Sequence, residues 1–336
     1  MTTPEPIAEI AVLIYPGAQL GAVHGMTDLL SVANLMAQRR YGENAPALRF
    51  SQWRPGEDGQ RLERVLDSHP GRAGEPDFIV LPPAVVAPIT AEDAAPLALW
   101  LRRKHDAGAT LASVCAGAFL LGETGLLENR SATTHWFYAN DFAERFPSAR
   151  MEIDKLVIDD GDLITAGGIM AWTDLGLKLV DRLMGPTTML DTARFLLVDP
   201  PGREQRHYSV FSPKLRHGDE AILRVQHWLQ ATGAREATLA AMSDKAGLEP
   251  RTFLRRFRKA TGLKPTEYCQ HLRVGKARET LEATTRSVEQ IAWDVGYEDP
   301  GAFRKIFIKV TGLSPRDYRQ RFGLARLHGA AEPADA

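Results

Sequence analysis

The sequence predicts two folds in series: an α/β domain on a mostly parallel, doubly covered sheet, then an all-α tandem helix-turn-helix region. Three observations carry this. Up to about residue 198, short apolar runs alternate with longer helical patterns; beyond that no run reads as a strand; and the second region repeats itself at an offset of 50 residues. A chain of 336 residues has room for two domains of ordinary size.

In chain order, IAEIAVLIY predicts a strand, residues 26–39 a helix, DFIVLP a strand, residues 94–106 a helix and ATLASV a third strand. Such alternation gives βα units and a parallel sheet covered on both faces. Residues 199–218, DPPGREQRHYSVFSPKLRHG, are rich in Pro, Gly and polar residues and have no apolar period, so they read as a linker. The expected organisation is a first domain over 1–198, a linker over 199–217, a reader domain over 218–328 and a disordered tail over 329–336. After the linker the spacing is helical, as in Ile222, Val225 and Leu229.

Apolar residues make up 44% of the chain and charged residues 25%, which excludes disordered, collagenous and coiled-coil classes. The longest stretch free of Asp, Glu, Lys and Arg, residues 10–27, is interrupted by Pro16, Gly17, Gln19, Gly21 and His24, so no membrane-spanning helix is expected. The first ten residues hold two glutamates and no basic residue, unlike a secretory leader, and a cytoplasmic location is expected. Cys115 and Cys269 are too far apart in sequence for a CxxC metal site and too few for a disulfide framework. GxxxxGK[ST], post-strand GxGxxG and HExxH are missing and the nine histidines are scattered, so neither a cofactor nor a metal is expected.

The net charge of −1 conceals an asymmetry: residues 212–328 carry 22 Lys+Arg against 13 Asp+Glu, while the remainder carries 19 against 29. A basic module on an acidic one points to a polyanion partner. The basic region holds the repeat, in which PRTFLRRFRKATGLKPTEY and PGAFRKIFIKVTGLSPRDY pair Phe253 with Phe303, Phe257 with Phe307 and Gly262 with Gly312. Each copy reads as a short helix, a turn at Gly247 or Gly296, and a second helix with Pro250 or Pro300 in its first turn. Thr238 and Glu249 are the cap candidates in the first copy; Ser287 with Gln290, and Asp299, are those in the second. Residues 266–282 read as one helix joining the units, with Tyr268, Leu272 and Leu281 on its apolar face.

If the phenylalanines at i and i+4 are buried, Arg251, Leu254, Arg255 and Arg258 face outward in the first copy, and Gly301, Arg304, Lys305 and Lys309 in the second. A basic helix fits the major groove, where Arg reads guanine and Lys or Arg meets phosphate. Residues 219–322, above all IAWDVGYEDPGAFRKIFIKVTGLSPRDYRQRF, resemble the tandem helix-turn-helix domain of AraC-family transcription regulators. The resemblance implies base-reading positions at Arg251, Leu254, Arg255, Gly301, Arg304 and Lys305, double-stranded operator DNA and RNA polymerase as partners, and activation of transcription. Leu254 departs from the usual polar reader and leaves a thymine methyl, or no contact, as its alternatives.

In ATLASVCAGAFLL a strand runs into Cys115 and then into Ala116, Gly117 and Ala118, the grammar of an elbow that carries a residue on a tight strand-to-helix turn. The helix N-terminus is expected to lower the thiol pKa, and His135 in SATTHW to come within reach of the thiol. Cys and His are two parts of a hydrolase, although a lone Cys is commonly a buried small hydrophobe. Residues 7–197, chiefly SVCAGAFLLGETGLLENRSATTHW and DLITAGGIMAWTDLGLKLV, resemble the PfpI-type branch of the class I glutamine-amidotransferase-like superfamily as it occurs in GlxA-type regulators. The resemblance implies a flavodoxin-like sandwich and pairing of two copies through this domain.

Two departures argue against catalysis. The loop after the first strand, YPGAQLGAVHG, has Ala22 where the superfamily has an acid, and Pro82-Pro83 stands where a Gly pair supplies oxyanion donors. Proline has no amide hydrogen to donate. The expectation is therefore a non-enzymatic regulator that senses a small molecule, amino-acid-like or betaine-like, in a pocket bordered by Cys115, His135, Trp136 and His24. The alternative is a cysteine amidohydrolase or peptidase with a DNA-binding appendage.

Overall fold

Strand β1 (Pro6–Leu13) is almost wholly apolar because it pairs on both edges, with β2 (Ala47–Pro55) and β4 (Phe78–Leu81). A computed structural model of the chain describes residues 5–56 and 61–324, and they divide into two units after Gln205, inside the 199–217 segment. Residues 329–336, expected to form a tail, lie outside the described residues.

The first unit contains, after β1, helix α1 (Leu20–Tyr41), β2, β3 (Leu62–Asp67), β4, α2 (Ala91–Asp106), β5 (Thr110–Val114) and α3 (Gly117–Glu123). It continues with β6 (Ser131–Ala132), α4 (Ala139–Arg145), β7 (Arg150–Met151), β8 (Val157–Asp159), β9 (Leu163–Ala166) and α5 (Trp172–Leu196), the last bent at Gly185-Pro186. The main sheet runs β3-β2-β1-β4-β5-β9-β8, parallel except at its two edges. Because the path moves one way from β1 to β2 and the other from β4 to β5, right-handed crossovers place α1 and α2 on opposite faces. This is the doubly covered flavodoxin-like sandwich.

Strand order reverses at β1 and β4, the place where open α/β sheets form a ligand crevice. Here the two loops are stitched together: the Gln19 N–H donates to the Pro83 carbonyl at 2.7 Å and the Val85 N–H to that of Gly17 at 3.3 Å. The Tyr15 hydroxyl donates to the Pro82 carbonyl at 2.5 Å.

One expectation for this region fails. Helix α1 starts at Leu20, six residues ahead of the 26–39 prediction, so Ala22 and His24 lie on a helix rather than in a loop. Gly21 and Gly25 weaken the helical signal there, yet Gly25 is required: a Cβ on it would stand 2.5 Å from the Trp172 ring of α5.

The second unit is helical among its described residues: α6 (Glu220–Thr232), α7 (Leu239–Ala246), α8 (Pro250–Thr261), α9 (Pro265–Ala283), α10 (Val288–Asp294), α11 (Pro300–Thr311) and α12 (Pro315–Phe322). It has two small cores. Ile222, Val225, Phe253, Phe257 and Tyr268 build one, and Ile291, Phe303, Phe307, Tyr318 and Leu281 the other. Helix α9 lends Tyr268 to the first and Leu281 to the second, which explains its apolar positions at both ends. No helix among the described residues is long and apolar enough to cross a membrane.

Candidate functional site

Two sets of residues carry chemistry, one in each unit. In the first helical pair, Thr238 caps α7 by accepting the Ala241 N–H at 3.1 Å, and Gly247 takes φ +67° to end it. Pro250 opens α8, although Glu249 at the cap makes no side-chain bond. Phe253 and Phe257 are buried, which leaves Arg251, Leu254 and Arg255 exposed on the opposite face. Arg256 behaves differently: its guanidinium forks onto the Asp219 carboxylate at 2.9 and 2.7 Å, and that carboxylate also caps α6 through the Ile222 N–H at 3.2 Å. The Arg256 fork holds the Asp219 carboxyl below its ordinary range.

The second pair repeats the pattern with better caps. Ser287 and Gln290 form a reciprocal capping box on α10, and Asp299 accepts the N–H groups of Gly301 and Ala302 at 2.8 and 3.0 Å to start α11. A Cβ at Gly301 would lie 3.1 Å from the Asp299 carboxylate, a tight contact with the cap itself. Phe303 and Phe307 are buried, and Arg304 and Lys305 are exposed, Arg304 in an ion pair with Glu289 of α10.

In the other unit, β5 delivers Cys115 into the left-handed region at φ +54°, unusual for a residue with a side chain and a mark of an elbow held by its surroundings. Its N–H donates to the Ala166 carbonyl at 2.7 Å and its carbonyl accepts the Thr134 hydroxyl at 2.7 Å. The thiol is buried, and burial pushes its pKa up to about 11; the Ala116 amide pulls the other way but by less. This corrects the expectation of a lowered pKa: desolvation outweighs the helix terminus.

His135 does not complete a dyad. Its Nδ1 accepts the Phe137 N–H at 3.1 Å, its ring lies against Trp136, burial lowers its pKa, and among the described residues no hydrogen bond joins it to Cys115. At neutral pH the pair is a thiol and a neutral imidazole. His24 is exposed on α1 and meets the Gln52 amide at 3.3 Å instead. Trp136 is half-buried, its N–H donated to the Gln205 side-chain oxygen at 3.2 Å.

Residues 242–321 match a helix-turn-helix domain model, and residues 65–182 match the DJ-1/PfpI family. The chain thus carries a DJ-1/PfpI-family domain in its N-terminal part and a helix-turn-helix domain in its C-terminal part. Of its relatives, the HTH-type transcriptional regulator GlxA of Rhizobium meliloti is 29% identical over 203 residues, 60% of this chain and 62% of that one. The chain thus spans about three fifths of that regulator's length. The HTH-type transcriptional regulator ArgR of Pseudomonas aeruginosa is 27% identical over 297 residues, 86% of this chain and 85% of that one. Isonitrile hydratase of Pseudomonas putida is 35% identical over 97 residues, 29% of this chain and 40% of that one.

The six reader positions that the sequence suggests fall on α8 and α11, the second helix of each pair. The elbow region holds groups that were not assigned: Tyr15 and Tyr138, whose hydroxyls are pushed up first by burial and further by the neighbouring Cys115. The aromatic run HWFY and the Tyr that closes the first apolar strand were the available signals. Gln205 was also missed, because it sits in a stretch that reads as linker. It is buried, and its amide donates to the Thr133 hydroxyl and the Thr134 carbonyl, both at 2.9 Å.

Proposed function

We propose that the chain is a sequence-specific DNA-binding transcription regulator whose DJ-1/PfpI-family domain senses a small molecule without catalysing a reaction. The observation that carries the first half is the pair of exposed basic faces, Arg251 with Arg255 on α8 and Arg304 with Lys305 on α11, each braced by two buried phenylalanines. Arg255 would read guanine, and flanking cations such as Arg258 and Lys309 would meet phosphates. The test is binding to a duplex enriched by the chain from a random pool, titrated with salt. A log-log slope of several units is expected; affinity indifferent to salt overturns the reading.

For the second half, a protonated buried thiol and a neutral imidazole bound elsewhere support a binding role for the Cys115 region. Pro82 and Pro83, without amide hydrogens, supply no oxyanion donors. The effector would rest against His135 and Trp136, the indole face suiting a quaternary or primary ammonium. This favours an amino-acid-like or betaine-like molecule. A thermal-shift screen of those compounds tests it, since a ligand of the native state raises Tm by mass action. We also infer activation through RNA polymerase and a homodimer formed by the sensing domain. Exposed apolar side chains on α1 and at the end of α5, among them Tyr41, Phe195 and Leu197, support the dimer. Sedimentation of the full chain as a monomer overturns it. The competing reading, a cysteine amidohydrolase, draws on the left-handed elbow at Cys115; amide hydrolysis abolished by Cys115→Ala would establish it.

A further inference from the structure

Arg304 of α11 donates from Nη2 to the carboxylate of Glu289 on α10, within one helix pair. The two side chains stay 49% and 44% exposed, so the guanidinium is held at one corner without being covered. Glu289 is not needed to close α10, whose N-terminus already has the reciprocal Ser287–Gln290 cap. A carboxylate beside a surface that meets phosphates opposes binding, and its presence there calls for a reason. The internal repeat supplies one. The first helices of the two copies correspond at an offset of 49, Thr238 with Ser287 and Gly247 with Gly296, and the second helices at 50, because the second copy has one residue more between its turn glycine and its proline. In that register Glu289 corresponds to Ala240 and Arg304 to Leu254. Where the reading position carries a charge, the first helix sets a carboxylate against it; where the reading position is apolar, the first helix carries only a methyl group. The acid goes with the arginine and not with the helix pair as such.

We propose that Glu289 is a positioning residue that fixes the Arg304 guanidinium for base reading and keeps it off the phosphates. The inference rests on the DNA-reading function proposed above. An unrestrained arginine gives up rotamer freedom when it meets a base, and it can turn as readily to a phosphate. The Glu289 carboxylate takes one guanidinium donor and leaves enough of the others for a bidentate contact with O6 and N7 of guanine. Its negative charge also repels phosphate near Arg304. The pair therefore gives up general affinity for discrimination between bases. Glu289 itself touches no base and acts through Arg304.

The test uses the full chain with Glu289→Ala, with Arg304→Ala and with both. Affinity is measured for the duplex enriched by the wild type, for its single-base variants and for a duplex of unrelated sequence. Alanine is a good helix former and an exposed pair adds little to stability, so folding is expected to be unchanged, which circular dichroism verifies. Glu289→Ala is expected to lower discrimination about fivefold at one base position, the position at which Arg304→Ala loses it. It is expected to bind the unrelated duplex no more weakly than the wild type and with a steeper salt dependence. The double variant is expected to discriminate as Arg304→Ala does, because Glu289 then has nothing to orient. Glu289→Ala with wild-type discrimination at every position overturns the proposal, as does weaker binding to the unrelated duplex, or a double variant whose loss of discrimination equals the product of the single losses. Arg304→Ala that weakens every duplex alike overturns it too, since Arg304 would then meet a phosphate. A wild-type chain that enriches no duplex overturns the DNA-reading function itself, so the two failures are distinct.

Discussion

Gly117 lies so close to the end of β4 that a Cβ on it would stand 2.4 Å from the carbonyl oxygen of Leu81. This close approach lets α3 start directly behind Cys115 and holds the elbow closed. Gly117→Ala is expected to destabilise the DJ-1/PfpI-family domain by about 2 kcal/mol or more, because backbone on both sides must move. Thermal unfolding checks it; a Tm within a degree of the wild type would show that the elbow yields.

Burial pushes the thiols of both Cys115 and Cys269 up to about 11. Neither is expected to react with a disulfide reagent in the native protein at pH 8, and both are expected to react within minutes in denaturant. Thiol titration with and without denaturant decides this. Fast native labelling of Cys115 would revive the nucleophile reading.

Arg255→Ala is expected to cost about 1 to 3 kcal/mol in operator affinity and to relax preference at one base position. Lys309→Ala is expected to weaken all duplexes alike and to lower the salt slope by about one unit. Affinity measured over a set of single-base operator variants separates the two, and a uniform loss for Arg255→Ala would reassign it to phosphate.

The Arg49 guanidinium, hydrogen-bonded to Asp67 at 2.7 Å, holds the Asp67 carboxyl at about 2 against an ordinary 3.8, within a cluster that also includes buried Glu9 and Arg64. A depressed carboxyl contributes stability that is present above its unfolded value and lost as pH falls toward its folded one. Asp67→Asn is thus expected to destabilise the DJ-1/PfpI-family domain by about 1 to 2 kcal/mol at pH 7, after allowance for solvent screening. The gap to the wild type should close between pH 4 and pH 2. Urea melts at pH 7, 4 and 2.5 provide the measurement, and a gap independent of pH would refute the assignment.

The reader domain was legible in the sequence almost residue by residue because its signals are local. Caps such as Asp299, turn glycines such as Gly296 and the Phe pairs act within a few positions of one another. The DJ-1/PfpI-family domain is legible in its first, fourth and fifth strands, whose apolar runs are continuous, and less so elsewhere. The edge strand β3, LERVLD, carries charges because they pair across the sheet with Glu9 and Arg49, a long-range reason invisible to periodicity. The start of α1 is hidden by Gly21 and Gly25, of which Gly25 makes room for Trp172. The elbow is legible in its local grammar, but its electrostatics are not, since burial depends on what the rest of the domain places over Cys115. Gln205 escaped for the opposite reason: its flanks look like a flexible joint, and only the tertiary structure turns it into a plug.

Helix α9, 19 residues long, connects the two helix-turn-helix units and is built into the core of each. At 1.5 Å per residue it is a strut of about 28 Å. Its rigidity constrains the evolution of the promoters it would serve. A base change within either contacted patch removes a contact or two and leaves the remainder in place. Inserting one base pair between the patches turns the second by about a tenth of a helical turn, and every contact there is lost together. Operators of this chain are therefore expected to drift by substitution and to keep their internal length fixed.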